Sequence, residues 1–142
     1  TDIAVMVFRS KLKWDGFCDL ISAMSAHLVD AGVLDSETPP SRAFHHSKSP
    51  WEQLLDGIDF LWGVDVTDGG AEDDISFGAY MMERGFRRDA LKKAIRRPLV
   101  VISGNTGKTR EANLFELSAG MDYESAKDAW LAVKSTLPVP GD

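Results

Sequence analysis

Cysteine is nearly absent from this sequence of 142 residues, in which Cys18 is the only one. A single thiol excludes an internal disulfide, and it excludes a zinc centre built from several thiolates of one chain. Low cysteine usage is typical of proteins that stay in the reducing cytosol. We therefore expect a cytoplasmic protein.

Long apolar runs are also absent. The longest, Ile3–Phe8, has six residues, whereas a membrane-spanning helix needs roughly 20. No charged region of the kind that opens a signal peptide precedes this run, so the run predicts a strand covered on both faces. We expect no membrane partner.

Neither the length nor the composition departs from that of an ordinary globular protein. The chain is 44% hydrophobic and 27% charged, which is typical of folded domains. Its length fits one domain, since domains cluster at roughly 100–150 residues. We predict a single globular domain over residues 1–142, with a long surface loop at 33–49 and a C-terminal tail at 138–142.

Acidic residues are scarce in one stretch, Arg84–Arg110, which is called the basic segment below. Nine of the 16 Lys and Arg residues fall there, with Asp89 as the single acid. The segment has a formal charge of +8, so the −6 of the chain leaves −14 for the remainder. Cations without acids to balance them favour a surface that binds a polyanion. The nine cations are Arg84, Arg87, Arg88, Lys92, Lys93, Arg96, Arg97, Lys108 and Arg110.

Apolar spacing predicts an α/β or α+β fold, a single small domain with about three strands and five or six helices. Strands are predicted at Ile3–Phe8, Ile58–Val66 and Leu99–Ile102. Helices are predicted from a cap at Asp15 to Gly32, from Ser49 and Pro50 onward, on both sides of Gly85, and from a cap at Asp122. Gly85 allows either one kinked helix or two separate ones.

A glycine-containing loop follows the third predicted strand. Its residues are Gly104, Asn105, Thr106, Gly107, Lys108 and Thr109. Backbone N–H groups, a lysine and the start of a following helix are what binds phosphate in such loops. The spacing departs from the Walker pattern, because the position five residues before Gly107 is Ile102 and not glycine.

Residues 109–117 fit two structures. A helix from Thr109 is favoured, because Glu111–Leu117 contains good helix formers and no β-branched residue. The alternative is a hairpin that turns at Asn105–Gly107. A hairpin would present Lys108 and Arg110 to a nucleic-acid backbone, next to a basic recognition helix.

Two further segments are candidates for protein contact. His45, His46 and Trp51 lie in or beside the predicted loop, and Trp51 has the character of an interface anchor. The acidic loop Asp65–Asp74 is a second interface candidate, or an internal mate that masks the basic segment. No group of ligands with metal-site spacing accompanies the histidines, so we predict no metal site.

The leading hypothesis is a small non-enzymatic binding module without cofactor or catalytic residues. Its basic segment engages a polyanion, with nucleic acid placed first and an acidic protein surface second. One alternative is a protein-interaction module, such as an inhibitor, an immunity-type protein or an adaptor, that uses the loops at 44–51 and 65–74. The third hypothesis is a phosphate or nucleotide binder that uses Gly104–Thr109.

Overall fold

In a computed structural model of the protein, the residues described are Met6, Phe8, 10–57, 76–103 and 108–133. They form seven helices and one two-stranded antiparallel sheet, which is a small α+β fold, as predicted. The elements are α1 (Trp14–Asp30), α2 (Pro40–Ala43), α3 (Pro50–Asp56), α4 (Ser76–Glu83), α5 (Arg88–Arg96), β1 (Leu99–Ser103), β2 (Thr109–Asn113), α6 (Leu114–Leu117) and α7 (Tyr123–Val133).

Several predictions fall outside these residues. They are the strand at Ile58–Val66, the acidic loop Asp65–Asp74, the tail at 138–142 and most of the strand at Ile3–Phe8. Of that last run, Met6 and Phe8 are described, and both are exposed and without regular structure. The predicted loop at 33–49 contains the single-turn helix α2. Among the described helices, none is both long and apolar enough to cross a bilayer.

The chain divides into two compact units, Thr1–His46 and Ser47–Asp142. The first unit contains α1 and α2, which contact each other. Helix α1 ends as predicted at Gly32, whose φ of +70° suits glycine, and the N–H of Val33 donates to the carbonyl of Leu28 at 2.9 Å. The predicted cap at Asp15 was wrong. Lys13 is the N-cap residue without a side-chain bond, and Asp15 lies in the first turn.

The hydrophobic core of the described residues lies entirely in the second unit. Helix α3 is central to it and contacts α4, α5, α6 and α7. Full burial of one large apolar side chain stabilises a fold by about 1.5–3 kcal/mol, so this cluster is the main source of stability. The cluster consists of Trp51, Leu54, Phe77, Met81, Leu91, Ala94, Ile95, Val100, Leu114 and Ala126.

Helix α3 begins as the sequence predicts. The Ser49 hydroxyl accepts a hydrogen bond from the N–H of Glu52 at 3.0 Å, and Pro50 is the first helical residue. The Glu52 carboxylate in turn accepts from the N–H of Lys48 at 2.5 Å. Both bonds satisfy N–H groups at a helix start that otherwise lack partners.

Helices α4 and α5 are separate, with the break at Gly85. Gly85 has a φ of +81°, and its N–H donates to the carbonyl of Met82 at 2.9 Å. The N–H of Phe86 donates to the carbonyl of Met81 at 3.2 Å, and the Phe86 side chain packs against the core. This pair of bonds around a left-handed residue is a Schellman motif, which stops α4 and redirects the chain. Helix α5 then begins at Arg88.

Strands β1 and β2 form an antiparallel hairpin in which Val100 pairs with Ala112 and Ile102 with Arg110. The helix favoured from Thr109 was therefore wrong over residues 109–113, and the hairpin alternative was right for them. Val100 is buried against the core and Ala112 packs beside it, so tertiary packing overrides the weak helix propensity of this segment. Only Leu114–Leu117 is helical, and the Asn113 side chain caps it by accepting from the N–H of Phe115 at 2.9 Å.

Candidate nucleic-acid interface

Helix α5 has one apolar face and one charged face. Leu91, Ala94 and Ile95 are buried in the core. Because successive helical residues are about 100° apart, Lys92 lies at the border of that face, while Lys93 and Arg96 point away from it. Lys93 and Arg96 are exposed and Lys92 is half-buried, as this geometry requires. The sequence 88–96 thus anchors the helix on one side and presents cations on the other.

An open groove runs along the charged face, lined by Asp89, Lys92, Lys93, Arg96 and Arg97. Every lining residue is ionisable, and the four cations exceed the single acid by three charges. Pockets for small organic ligands are mostly apolar and enclose most of the ligand. The lining residues all belong to α5 or to Arg97 just after it, so this shallow groove is the space between side chains of one helix face, and a ligand meets its cations from outside.

The nine cations of the basic segment do not share one environment. Lys93, Arg96, Arg97, Lys108 and Arg110 are exposed. Arg88 and Lys92 are half-buried and already take part in interactions within the protein. The exposed residues can approach a ligand without first giving up contacts in the fold. They are therefore the strongest candidates for direct contact.

The Arg84 side chain contacts Tyr80 and Glu124 within the second unit. Its guanidinium carbon lies 3.4 Å from the centroid of the Tyr80 ring, and Nη1 donates to the Tyr80 carbonyl at 3.3 Å. Nη2 is 3.9 Å from the Glu124 carboxylate on α7. A cation over an aromatic face is attracted by the ring quadrupole. Arg84 was predicted to bind the polyanion, which stays a prediction, and these contacts show that its side chain also joins α4 to α7.

The same junction contains a small polar network. The Tyr80 hydroxyl donates to Glu124, and Lys127 pairs with both Glu124 and Asp128. Partial burial and the bond to Glu124 raise the pKa of Tyr80. The bond from Lys127, followed by that from Tyr80, lowers the pKa of Glu124. The network thus favours a charged Glu124 and a protonated Tyr80, which stabilises the α4–α7 contact.

The hairpin follows α5 after only Arg97 and Pro98. Its base is fixed by the N–H of Leu114, which donates to the Pro98 carbonyl at 2.7 Å. Lys108 precedes β2 and Arg110 lies within it, and both are exposed. The hairpin therefore adds two exposed cations directly after the basic helix in the chain.

The structure removes one of the features on which the phosphate-loop interpretation depended, the helix after the loop. Gly104–Gly107 lie outside the described residues, Lys108 is exposed, and Thr109 opens strand β2. Phosphate loops of this kind use the N–H groups and partial charge at the start of a following helix. Since a strand follows here, that contribution is missing from the site.

The protein-interface prediction was wrong for Trp51. The residue is 0% exposed, its ring packs against Phe77 and Trp130, and its indole N–H donates to the Ala126 carbonyl at 3.3 Å. In the first unit, the His46 ring packs against Trp14 at a centroid distance of 5.6 Å. His45 is exposed. A buried Trp51 cannot anchor a partner at this surface.

Sequence reasoning placed the hairpin beside the basic helix only as its second choice, and it left open whether α4 and α5 are separate helices. The available signals were Gly85 between two helical stripes, Pro98 after α5, and two short strand-compatible segments beyond it.

No family model, no curated protein and no solved structure matches this chain.

Proposed function

We propose that the protein binds duplex DNA through the charged face of α5 and the β1–β2 hairpin. Helices α4 and α5 are joined by the short turn Arg84–Arg87, which contains Gly85 in the left-handed conformation. The helix-turn-helix of many DNA-binding proteins has two helices at about 90–120° joined by a turn of three or four residues that often contains glycine, and the turn here matches that length and composition. In those proteins the second helix enters the major groove.

The observation that carries the proposal is the position of the cations. They lie on the second helix of the pair, on the face opposite Leu91, Ala94 and Ile95. A nine-residue helix is about 13.5 Å long at 1.5 Å per residue. The major groove of B-form DNA is about 12 Å wide and admits an α-helix. The diameter of any α-helix, about 10–12 Å with its side chains, fits this groove, so what distinguishes α5 is the charge of its exposed face and the anchoring of its apolar face in the core.

The hairpin supports duplex binding independently. A hairpin after the recognition helix can follow the DNA backbone beside the groove that the helix enters. Lys108 and Arg110 are exposed cations suited to phosphate contact. Such contacts fix the orientation of a protein on DNA and carry no sequence information of their own.

The test is a double charge reversal on α5, Lys93→Glu with Arg96→Glu. The control is Lys11→Glu with Arg42→Glu, which makes the same charge change at exposed residues of the first unit. Affinity for a mixed-sequence duplex is measured against salt concentration. We expect the α5 variant to lose at least about tenfold in affinity and its log–log salt slope to fall by about two, because two phosphate contacts are lost. The control should stay close to the wild type.

A second double variant, Lys108→Ala with Arg110→Ala, tests the hairpin. We expect affinity to fall equally for every duplex sequence, because phosphate contacts do not read bases. The control is Lys11→Ala with Arg42→Ala, the same loss of two positive charges at exposed residues of the first unit, which should bind as well as the wild type. Equal salt-dependent affinity in the wild type and both double cation variants of the second unit would refute the proposal.

A further inference from the structure

Asp89 is the one acid in a groove otherwise lined by cations. It lies in the first turn of α5, and its side chain is 79% exposed. By helical spacing it shares a face with Lys92, Lys93 and Arg96, at the steps of three, four and seven residues. Asp89 therefore belongs to the surface that meets the ligand.

A carboxylate is unfavourable on a surface whose only task is to bind phosphates, because like charges repel across the interface. Part of its presence is explained by the helix, since an acid in the first turn interacts favourably with the N-terminal partial charge. Arg87 offsets some of the charge as well, with Nη2 lying 3.5 Å from Oδ2 of Asp89. Both side chains of that pair are highly exposed, so a ligand can replace the contact at little cost.

The position of Asp89 in α5 indicates which part of the duplex its side chain contacts. In helix-turn-helix complexes the N-terminal residues of the second helix contact base edges, while phosphates are met by groups around them. Asp89 is the second residue of α5. It is thus directed at the floor of the major groove, where bases present hydrogen-bond donors as well as acceptors.

The chemistry of a carboxylate selects among the four bases. An ionised aspartate only accepts hydrogen bonds. In the major groove guanine offers the acceptors N7 and O6, and thymine offers O4 beside a methyl group, so both disfavour it. Adenine offers the N6 donor next to the N7 acceptor, whereas cytosine offers the N4 donor alone. Cytosine adds no acceptor of its own beside that donor, and aspartate accepting from cytosine N4 is the pairing that follows, with O6 of the paired guanine on the far side of N4.

We infer that Asp89 is the specificity-determining residue of the site and that it accepts a hydrogen bond from the N4 amino group of a cytosine in duplex DNA. The inference rests on the proposed function and deepens it, because it makes binding dependent on sequence. The exposed cations supply affinity, and Asp89 supplies a penalty against duplexes that place another base at its position.

The experiment selects bound duplexes from a library with a randomised central region, at one fixed salt concentration. Wild type, Asp89→Asn and the control Glu37→Gln are compared. In the wild type we expect one position at which cytosine is preferred about tenfold or more over the other bases, as a good base contact provides. Glu37→Gln, an equal loss of one negative charge at an exposed residue of the first unit, should keep that preference.

Asp89→Asn should change which base is preferred without weakening the binding to duplex DNA. Its amide both donates and accepts, which suits adenine N6 and N7. We expect adenine to replace cytosine at the same position, while affinity for an average duplex stays equal or rises because a repulsive charge is gone. A structural role for Asp89 alone would lower stability without exchanging one base for another.

Three results would overturn the inference. Cytosine preference that persists in Asp89→Asn assigns the reading to another residue. Salt-dependent binding by the wild type without any preferred base leaves DNA binding intact and removes sequence selection by Asp89. Absence of duplex binding by the wild type at low salt, with no difference from Lys93→Glu/Arg96→Glu, removes the proposed function together with the inference.

Discussion

Trp51 connects three helices of the second unit through its own side chain. It belongs to α3, its ring lies 5.2 Å from Phe77 of α4 and 5.0 Å from Trp130 of α7, and its N–H is bonded to the Ala126 carbonyl. Its position next to Pro50 fixes the start of α3 and directs the indole inward. Few other side chains here combine full burial with a satisfied polar atom.

Replacing Trp51 by alanine is expected to lower the free energy of unfolding by about 3–5 kcal/mol, because it leaves a large cavity and removes the aromatic contacts. Urea denaturation followed by circular dichroism measures the change. Leu99→Ala is the control, since Leu99 is 48% exposed, and its effect should stay within about 0.5 kcal/mol. Similar losses in the two variants would contradict the central role of Trp51.

Asp122 makes the start of α7 sensitive to acid. Its Oδ1 accepts from the N–H of Ser125 at 2.8 Å, and this bond lowers the pKa of Asp122. A carboxyl group whose pKa is lower in the folded state stabilises the fold above its ordinary pKa, and that contribution disappears as the pH falls through the lowered value. We therefore expect the melting temperature to decline below about pH 4, the usual range for aspartate.

Asp122→Ala should flatten part of that decline, because the variant has no carboxylate at the cap to protonate. Melting temperatures between pH 2 and pH 7 provide the comparison. Ser49→Ala removes the uncharged cap of α3, so it should lower stability by the same amount at every pH. A decline of equal steepness in Asp122→Ala and the wild type would show that other carboxylates cause it.

The connection between α4 and α5 depends on backbone conformation more than on contacts. A Cβ atom placed on Gly85 would meet no atom within 4 Å, so the cost of a substitution comes from the φ of +81°. Gly85→Ala is expected to destabilise the protein by about 1–2 kcal/mol. Gly85→Asn should cost less, because asparagine tolerates the left-handed region. Unfolding curves of the two variants test this order, and equal costs would contradict it.

Local elements were predictable where one residue decides the backbone. Ser49 with Pro50 predicted the start of α3, because a cap depends on the residue itself, and Gly85 marked the position of the break between α4 and α5 without deciding between a kink and two helices. Strand β1 followed from its β-branched residues. Strand β2 did not, because Thr109–Asn113 becomes a strand through pairing with β1, and such pairing is not encoded in local propensity.

The candidate site was predictable in charge and not in geometry. The excess of cations in Arg84–Arg110 follows from counting. The division of those cations between the open groove and internal contacts, as for Arg84 over Tyr80, depends on which helices pack together. Trp51 was misjudged for the same reason, because its burial is decided by α4 and α7 and not by its neighbours in sequence.

The two units differ in their capacity to fold alone. All ten buried apolar residues among the described ones belong to Ser47–Asp142, whereas Ser25 is the single buried residue described in Thr1–His46. We expect a fragment 47–142 to unfold cooperatively and to retain the helix content of α3–α7. A fragment 1–46 should show no cooperative transition, because its described residues contain no apolar core to offset chain entropy. Circular dichroism melts of both fragments test this, and a molten 47–142 would contradict it.

The charge of the basic segment is opposite in sign to the net charge of the whole chain. A chain of formal charge −6 is repelled by DNA at long range, yet its basic segment carries +8. For the proposed binding to DNA, such a distribution predicts approach in one orientation and association that is faster at low salt than the net charge alone would give.

The packing of Trp51 against Trp130, with an interplanar angle of 60°, also gives the second unit an optical signature. Two fixed, asymmetrically placed indoles contribute to near-ultraviolet circular dichroism, a signal that vanishes when side-chain packing loosens while helices persist. Near-ultraviolet circular dichroism therefore measures the side-chain packing of this core without an added label. A variant that keeps its far-ultraviolet spectrum but loses the near-ultraviolet bands of the indoles retains its helices and has lost the fixed side-chain packing of the core.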